Sequence, residues 1–128
     1  MNLEELPAVV KNDIEDQSLS LLENIKNDVI VIGGWAVRAL TGGKHARYTL
    51  DIDGVTVKEK LSMIKQRLKR AGLAAKDSEC GVQFYQRYTP HVDIPDKIKK
   101  TVENIELRIE LSESKIKEFQ THYYFDRL

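Results

Sequence analysis

Residues 29–57, VIVIGGWAVRALTGGKHARYTLDIDGVTV, restrict what this 128-residue chain can fold into more than any other stretch. Val29, Ile30, Val31 and Ile32 form a β-branched run, too short for a helix and closed by Gly33-Gly34, which predicts a central strand buried on both faces. Residues 35–40 are good helix formers and Thr41-Gly42-Gly43 supplies a stop, so the unit reads as strand, tight turn and short helix, with Trp35 in the core. Residues 47–57 then alternate as a strand. Arg47, Thr49, Asp51 and Asp53 share one face, and Tyr48, Leu50 and Ile52 the other.

The flanking sequence supplies helices and further strands. Ile14, Leu19, Leu21, Leu22 and Ile25 recur at helical intervals and predict an amphipathic helix over 13–27, with Pro7 setting residues 3–10 apart as a turn or helix start. Thr56 and Glu59 have the spacing of a capping box, opening a helix with Leu61, Ile64, Leu68 and Ala71 on its apolar side and a stop at Gly72. Its other face, Lys58, Lys60, Lys65, Arg67, Lys69 and Arg70, is either solvated or a contact for RNA. Residues 82–88 alternate weakly, Thr89-Pro90 interrupts them, and 91–94 resume as a second strand or the far side of a bend at Pro90. Ile105, Leu107, Ile109 and Leu111 alternate with Glu106, Arg108 and Glu110, predicting a half-buried antiparallel or edge strand. Residues 112–128 read as a terminal helix capped by Ser112 or Ser114. The sum is one α/β (α+β) domain over 1–128, a small mixed sheet flanked by helices.

Lysine plus arginine and aspartate plus glutamate both number 20, so no global basic field recruits nucleic acid. Cys80 is the single cysteine. It excludes an intrachain disulfide and fits a reducing cytosol. The start, MNLEELPAVVKNDIEDQ, lacks the basic-then-apolar plan of a signal peptide, and no apolar run approaches the ~18 residues that span a bilayer. A cytoplasmic protein with no membrane contact is expected.

Asp51 and Asp53, spaced i and i+2 on a strand, project on the same side with Cα atoms about 6.6–6.8 Å apart. Such carboxylates suit Mg²⁺, which takes one or two from the protein and completes its shell with water and phosphate oxygens. Two ions roughly 3.5–4 Å apart would clamp the attacking and leaving oxygens at phosphorus. The Gly33-Gly34 turn before a helix offers unobstructed backbone N–H groups to phosphate. A P-loop is excluded, because Gly43-Lys44 is followed by His45 and Arg38 stands where the first glycine belongs.

Gly33-Gly34 followed by Arg47-x-Thr49-x-Asp51-Ile52-Asp53 resembles the signature of the DNA polymerase β-like nucleotidyltransferase superfamily. The similarity is nearest its abortive-infection toxin-like and small prokaryotic members, and covers roughly residues 28–94. It implies the nucleotidyltransferase fold and transfer of an NMP from an NTP to a hydroxyl of a small molecule, protein or RNA. It also implies Mg²⁺ on Asp51 and Asp53, two ions in all, and phosphates held at Gly33 and Gly34, with Arg47, Thr49 and Lys44 on the nucleotide. A third carboxylate on a nearby strand completes the metal site and helps deprotonate the acceptor; Asp93 is the matching candidate and Asp96 the fallback. Gly54 departs from the pattern, which usually has an apolar residue there, and larger relatives continue into a helical acceptor-binding domain, leaving the acceptor open. The alternative is an inactive nucleotide-binding or toxin–antitoxin-type module of the same fold, acting as a homodimer or with a partner protein.

Overall fold

The computed structural model describes residues 5–33, 35 and 50–114. Helix α1 (Ala8–Glu23) begins directly after Pro7, whose carbonyl accepts from the N–H groups of Val10 and Lys11 at 3.0 Å each. A proline lacks only a donor that a helix start would leave unpaired, so Pro7 marks a helix start, the second of the two expectations for this segment, and the helix runs on from it without a break. The helix is shifted towards the N-terminus relative to the expected 13–27. Residues 24–28 form successive turns that carry Ile25 into the core.

Five strands follow: β1 (Ile30–Ile32), β2 (Asp51–Val57), β3 (Ala74–Ser78), β4 (Gly81–Arg87) and β5 (Glu106–Ser114), in the spatial order β1-β2-β5-β4-β3. Among the described strands only β2 and β5 run parallel. Helix α2 (Lys58–Arg70) connects β2 to β3, and a 3-10 turn (Asp96–Ile98) with the short α3 (Lys99–Glu103) precedes β5. The mixed sheet with flanking helices matches the expected fold class.

Several expectations change. β1 lies at the sheet edge among the described residues and buries one face only: Val29 and Val31 are enclosed, Ile30 is half-buried and Ile32 is 41% exposed. Conversely, the segment expected as an antiparallel or edge strand is the middle of the sheet, parallel to β2 on one side and antiparallel to β4 on the other. Its Leu107, Ile109 and Leu111 are buried while Glu106, Arg108 and Glu110 face away, so its alternation holds. β5 continues through Ser114, which removes Ser112 as a cap; the helix expected beyond Ser114 lies outside the described residues. β3, sequence AAKDS, has no strand-like alternation and forms through hairpin pairing with β4. Residues 91–94 form no strand.

One face of the sheet carries the core. Ile52, Ile109 and Phe84 make one row across three strands and Gly54, Leu111 and Val82 the next. Val10, Ile14, Leu22, Ile64 and Leu68 from the helices join the same cluster. Thr56 also points inward and donates to the Asp28 carbonyl at 2.6 Å, so it is no cap; Val57 stands at the N-cap of α2 without a side-chain bond. The Asp28 carboxylate accepts from Arg67 at 3.0 Å and lies 3.4 Å from Lys60, fastening the turn before β1 to α2.

Gly54 owes its identity to this core. A Cβ there would meet Val29 Cγ1 at 2.5 Å and Leu111 Cδ2 at 2.9 Å. Substitution Gly54→Ala is therefore expected to destabilise by about 1–3 kcal/mol through overpacking, read as a lower denaturant midpoint; an unchanged midpoint would contradict this account.

Asp13 on α1, 8% exposed, accepts hydrogen bonds from the Tyr88 hydroxyl, the His91 N–H at 2.9 Å and Gln17 Nε2 at 3.3 Å. Burial pushes its carboxyl up, but these donors and the nearby His91 outweigh burial and hold it below the usual range. A depressed carboxyl stabilises the fold above its ordinary pKa, and that stability is lost as pH falls through the lower folded value. Tyr88→Phe is expected to cost about 1 kcal/mol near neutrality and to lose less stability than the native chain on acidification below about pH 4, measured by denaturant unfolding across pH.

Candidate active site

The face opposite the core collects the charged residues of the two central strands. Its rows follow from the register: Asp51 pairs with Arg108 and then Tyr85, and Asp53 with Glu110 and then Gln83. Residues paired across a sheet point to the same side, so Asp51, Asp53, Arg108 and Glu110 share one surface. Gln83 Nε2 donates to Glu110 Oε1 at 3.3 Å, and Arg108 donates from Nε and Nη2 to Glu106 Oε1 at 3.2 and 2.8 Å.

Asp51 is exposed and Asp53 half-buried. Burial, then the negative charge of Asp51, raises the affinity of the Asp53 carboxyl for its proton. The antiparallel β1 brings Ile32 opposite Asp53, and the following Gly33 has φ +70°. A Cβ on Gly33 would lie 3.3 Å from Asp53 Oδ2. Glycine thus serves both the left-handed turn and the clearance over the carboxylate.

The chemistry of this donor set fits a hard divalent cation. Two carboxylates two residues apart repel one another, a third sits on the neighbouring strand, and a cation beside Asp51 and Asp53 would offset both the burial and, secondarily, the repulsion that raise Asp53. Among the described residues no three His, Cys, Asp or Glu side chains are grouped closely enough to hold a metal by themselves. Water and phosphate oxygens would have to supply the remainder, as Mg²⁺ ordinarily requires.

Of the residues expected from sequence, Asp51, Asp53 and Gly33 come together at the meeting of β1 and β2. Gly34, Lys44, Arg47 and Thr49 lie outside the described residues. Asp93 is exposed on the irregular connection after β4, on no strand. Asp96 opens the 3-10 turn, 92% exposed, and pairs with Lys99 at 2.9 Å. The position beside Asp53 on the adjoining strand belongs to Glu110, which sequence reasoning passed over along with Arg108. Their signal is the polar half of the alternation in 105–111, which by itself predicts a half-buried strand and no site. A cavity of about 470 Å³ between α1 and the end of β4, lined in part by Asp13, Gln17, Arg87 and His91, does not include the open-face carboxylates.

Comparison with known proteins agrees with this architecture. The solution structure of the antibiotic-resistance factor ANT(2'')-Ia is 15% identical, with a TM-score of 0.49, over 79% of this chain and 45% of its own. The crystal structure of ANT(2'')-Ia in complex with adenylyl-2''-tobramycin is 16% identical, with a TM-score of 0.50, over 79% of this chain and 48% of its own. At that identity the likeness is one of fold, and the chain spans about half the length of these solved relatives. No curated protein sequence matches it significantly. The family model for aminoglycoside-2''-adenylyltransferase matches residues 16–106, most of the chain. The chain belongs to this family of aminoglycoside nucleotidyltransferases, within the DNA polymerase β-like nucleotidyltransferase superfamily.

Proposed function

We propose that this domain is a Mg²⁺-dependent nucleotidyltransferase that moves an adenylyl group from ATP to a hydroxyl of an aminoglycoside-like amino sugar. The observation that carries the reading is the pairing of Asp51 and Asp53 on β2 with Glu110 opposite Asp53 on β5. Family membership supports the class of reaction, and the relative solved with adenylyl-2''-tobramycin supports a small polyamine acceptor.

In the proposed reaction the acceptor oxygen bonds to the α-phosphorus, the bond from that phosphorus to the pyrophosphate oxygen breaks, and pyrophosphate departs with the electron pair. The hydroxyl proton passes to a carboxylate of the site, a role we assign to Glu110. Bound Mg²⁺ would supply charge neutralisation for the phosphates, held by Asp51 and Asp53 with water and phosphate oxygens completing its shell. Gly33 leaves the approach to Asp53 clear for the triphosphate; Gly34, Arg47, Thr49 and Lys44 remain the candidate nucleotide contacts. Catalysis of this kind is chiefly positioning and electrostatic complementarity.

The open face carries both signs. Asp51, Asp53, Glu106 and Glu110 stand there with Arg108, and the same register adds Arg87 opposite Glu106 and Lys76 opposite Gln83. The carboxylates of β2 and β5 are the groups there that a polyamine sugar could pair with.

Incubation with each labelled NTP, Mg²⁺ and a panel of aminoglycosides or neutral sugars tests the reading. Label is expected to pass from ATP to the amino sugars, and Asp51→Asn or Asp53→Asn to reduce transfer at least ~100-fold. A raised carboxyl penalises the fold as pH rises through the ordinary carboxylate range. Asp53→Asn is therefore expected to have a thermal midpoint at pH 7 equal to or above the native chain's. Undiminished transfer by both variants would remove the acids from the reaction.

The third acid is tested separately. Glu110→Gln is expected to lower transfer at least ~100-fold, whereas Asp93→Asn keeps it within about twofold. The reverse pattern would return that role to Asp93.

A further inference from the structure

Arg108 brings a fixed positive charge into the carboxylate-lined face. It lies opposite Asp51 on the central strand, one register step from the Glu110 and Asp53 pair. Two of its five N–H donors go to one oxygen of Glu106. Arg108 and Glu106 side chains are both 41% exposed. Exposed pairs of this kind are weak and exchange readily for a better partner. Hydrogen bonding to Glu106, together with the charges of Glu106, Asp51 and Glu110, holds the Arg108 proton more tightly than usual.

A guanidinium in this position acts in opposite directions on the two charged species that the site would receive. It disfavours a bare divalent cation approaching Asp51 and Asp53, because it already partly neutralises the field there. It favours a polyphosphate, whose oxygens accept from its planar fork better than one carboxylate oxygen does.

We propose that Arg108 is a positioning residue that couples divalent-cation binding to nucleotide binding, opposing a free cation at Asp51 and Asp53 and binding phosphate when a nucleoside triphosphate arrives. This rests on the reading of Asp51 and Asp53 as metal-binding acids. The cation then enters together with the nucleotide, and Arg108 leaves Glu106 for a phosphate oxygen as it does so.

Titration calorimetry on the full chain tests the coupling with Mg²⁺ alone, ATP in the presence of a chelator, and Mg²⁺ with ATP. Arg108→Gln is expected to bind Mg²⁺ alone about three- to tenfold more tightly and metal-free ATP about tenfold more weakly than the native chain. Arg108→Lys is expected to keep the weak Mg²⁺ affinity, because the charge remains, and to recover only part of the ATP affinity, because the fork is lost. Metal-free ATP and Mg²⁺ isotherms of Arg108→Gln that superimpose on the native ones, with an unchanged thermal midpoint, would overturn the proposal. Adding Asp53→Asn to Arg108→Gln separates the two readings. Loss of the tightened Mg²⁺ binding supports the metal site, whereas its persistence refutes that site and leaves the metal-free ATP result to judge Arg108 alone.

Discussion

The parallel pairing of β2 with β5 is the interaction on which the rest of the structure depends. Seven register pairs, from Asp51 with Arg108 to Val57 with Ser114, join strands that lie far apart in sequence and make β5 the middle of the sheet. The same register aligns Ile52 with Ile109 and Phe84 on the core side, and Asp53 with Glu110 and Gln83 on the other. A slip of one residue would exchange these rows, burying carboxylates and exposing the core. Because the penalty for burying unpaired charge is so large, packing on one face fixes the chemistry on the other.

This dependence explains which parts could be read from the sequence. Alternation within 105–111 and 51–57 specifies faces, and both assignments hold. Periodicity does not name neighbours: it reads β5 as an antiparallel or edge strand and β1 as a central one, whereas among the described strands β5 is central, antiparallel to β4 and parallel to β2, and β1 lies at the edge. Asp51 and Asp53 are legible because one strand carries both. Glu110 is not, because its relation to them exists only once β5 lies beside β2. Asp93 is what the family resemblance implies, and it occupies a connection outside the sheet. Thr56 had the capping spacing, yet its buried face made the Asp28 carbonyl the available partner. β3 was illegible for another reason: its order comes from pairing with β4 and not from its own side chains.

Charge is distributed unevenly although the totals cancel. α2 carries a basic surface, with Arg67 and Lys60 turned to Asp28 and Lys65 to Asp77. The carboxylates of β2 and β5 occupy the side of the sheet away from the described helices, in rows that also hold Arg108, Arg87 and Lys76.

Gly33 and Gly54 sit close together on the β1–β2 ribbon but keep opposite sides of it clear. Gly33 leaves room in front of Asp53, while Gly54 lets Val29 and Leu111 close up behind. At this point the wall between core and carboxylates is a single layer of backbone. Changes in the shape of Val29 or Leu111 would reach Asp53 without passing through another side chain, so packing residues that never touch a ligand form part of the site's mechanical footing.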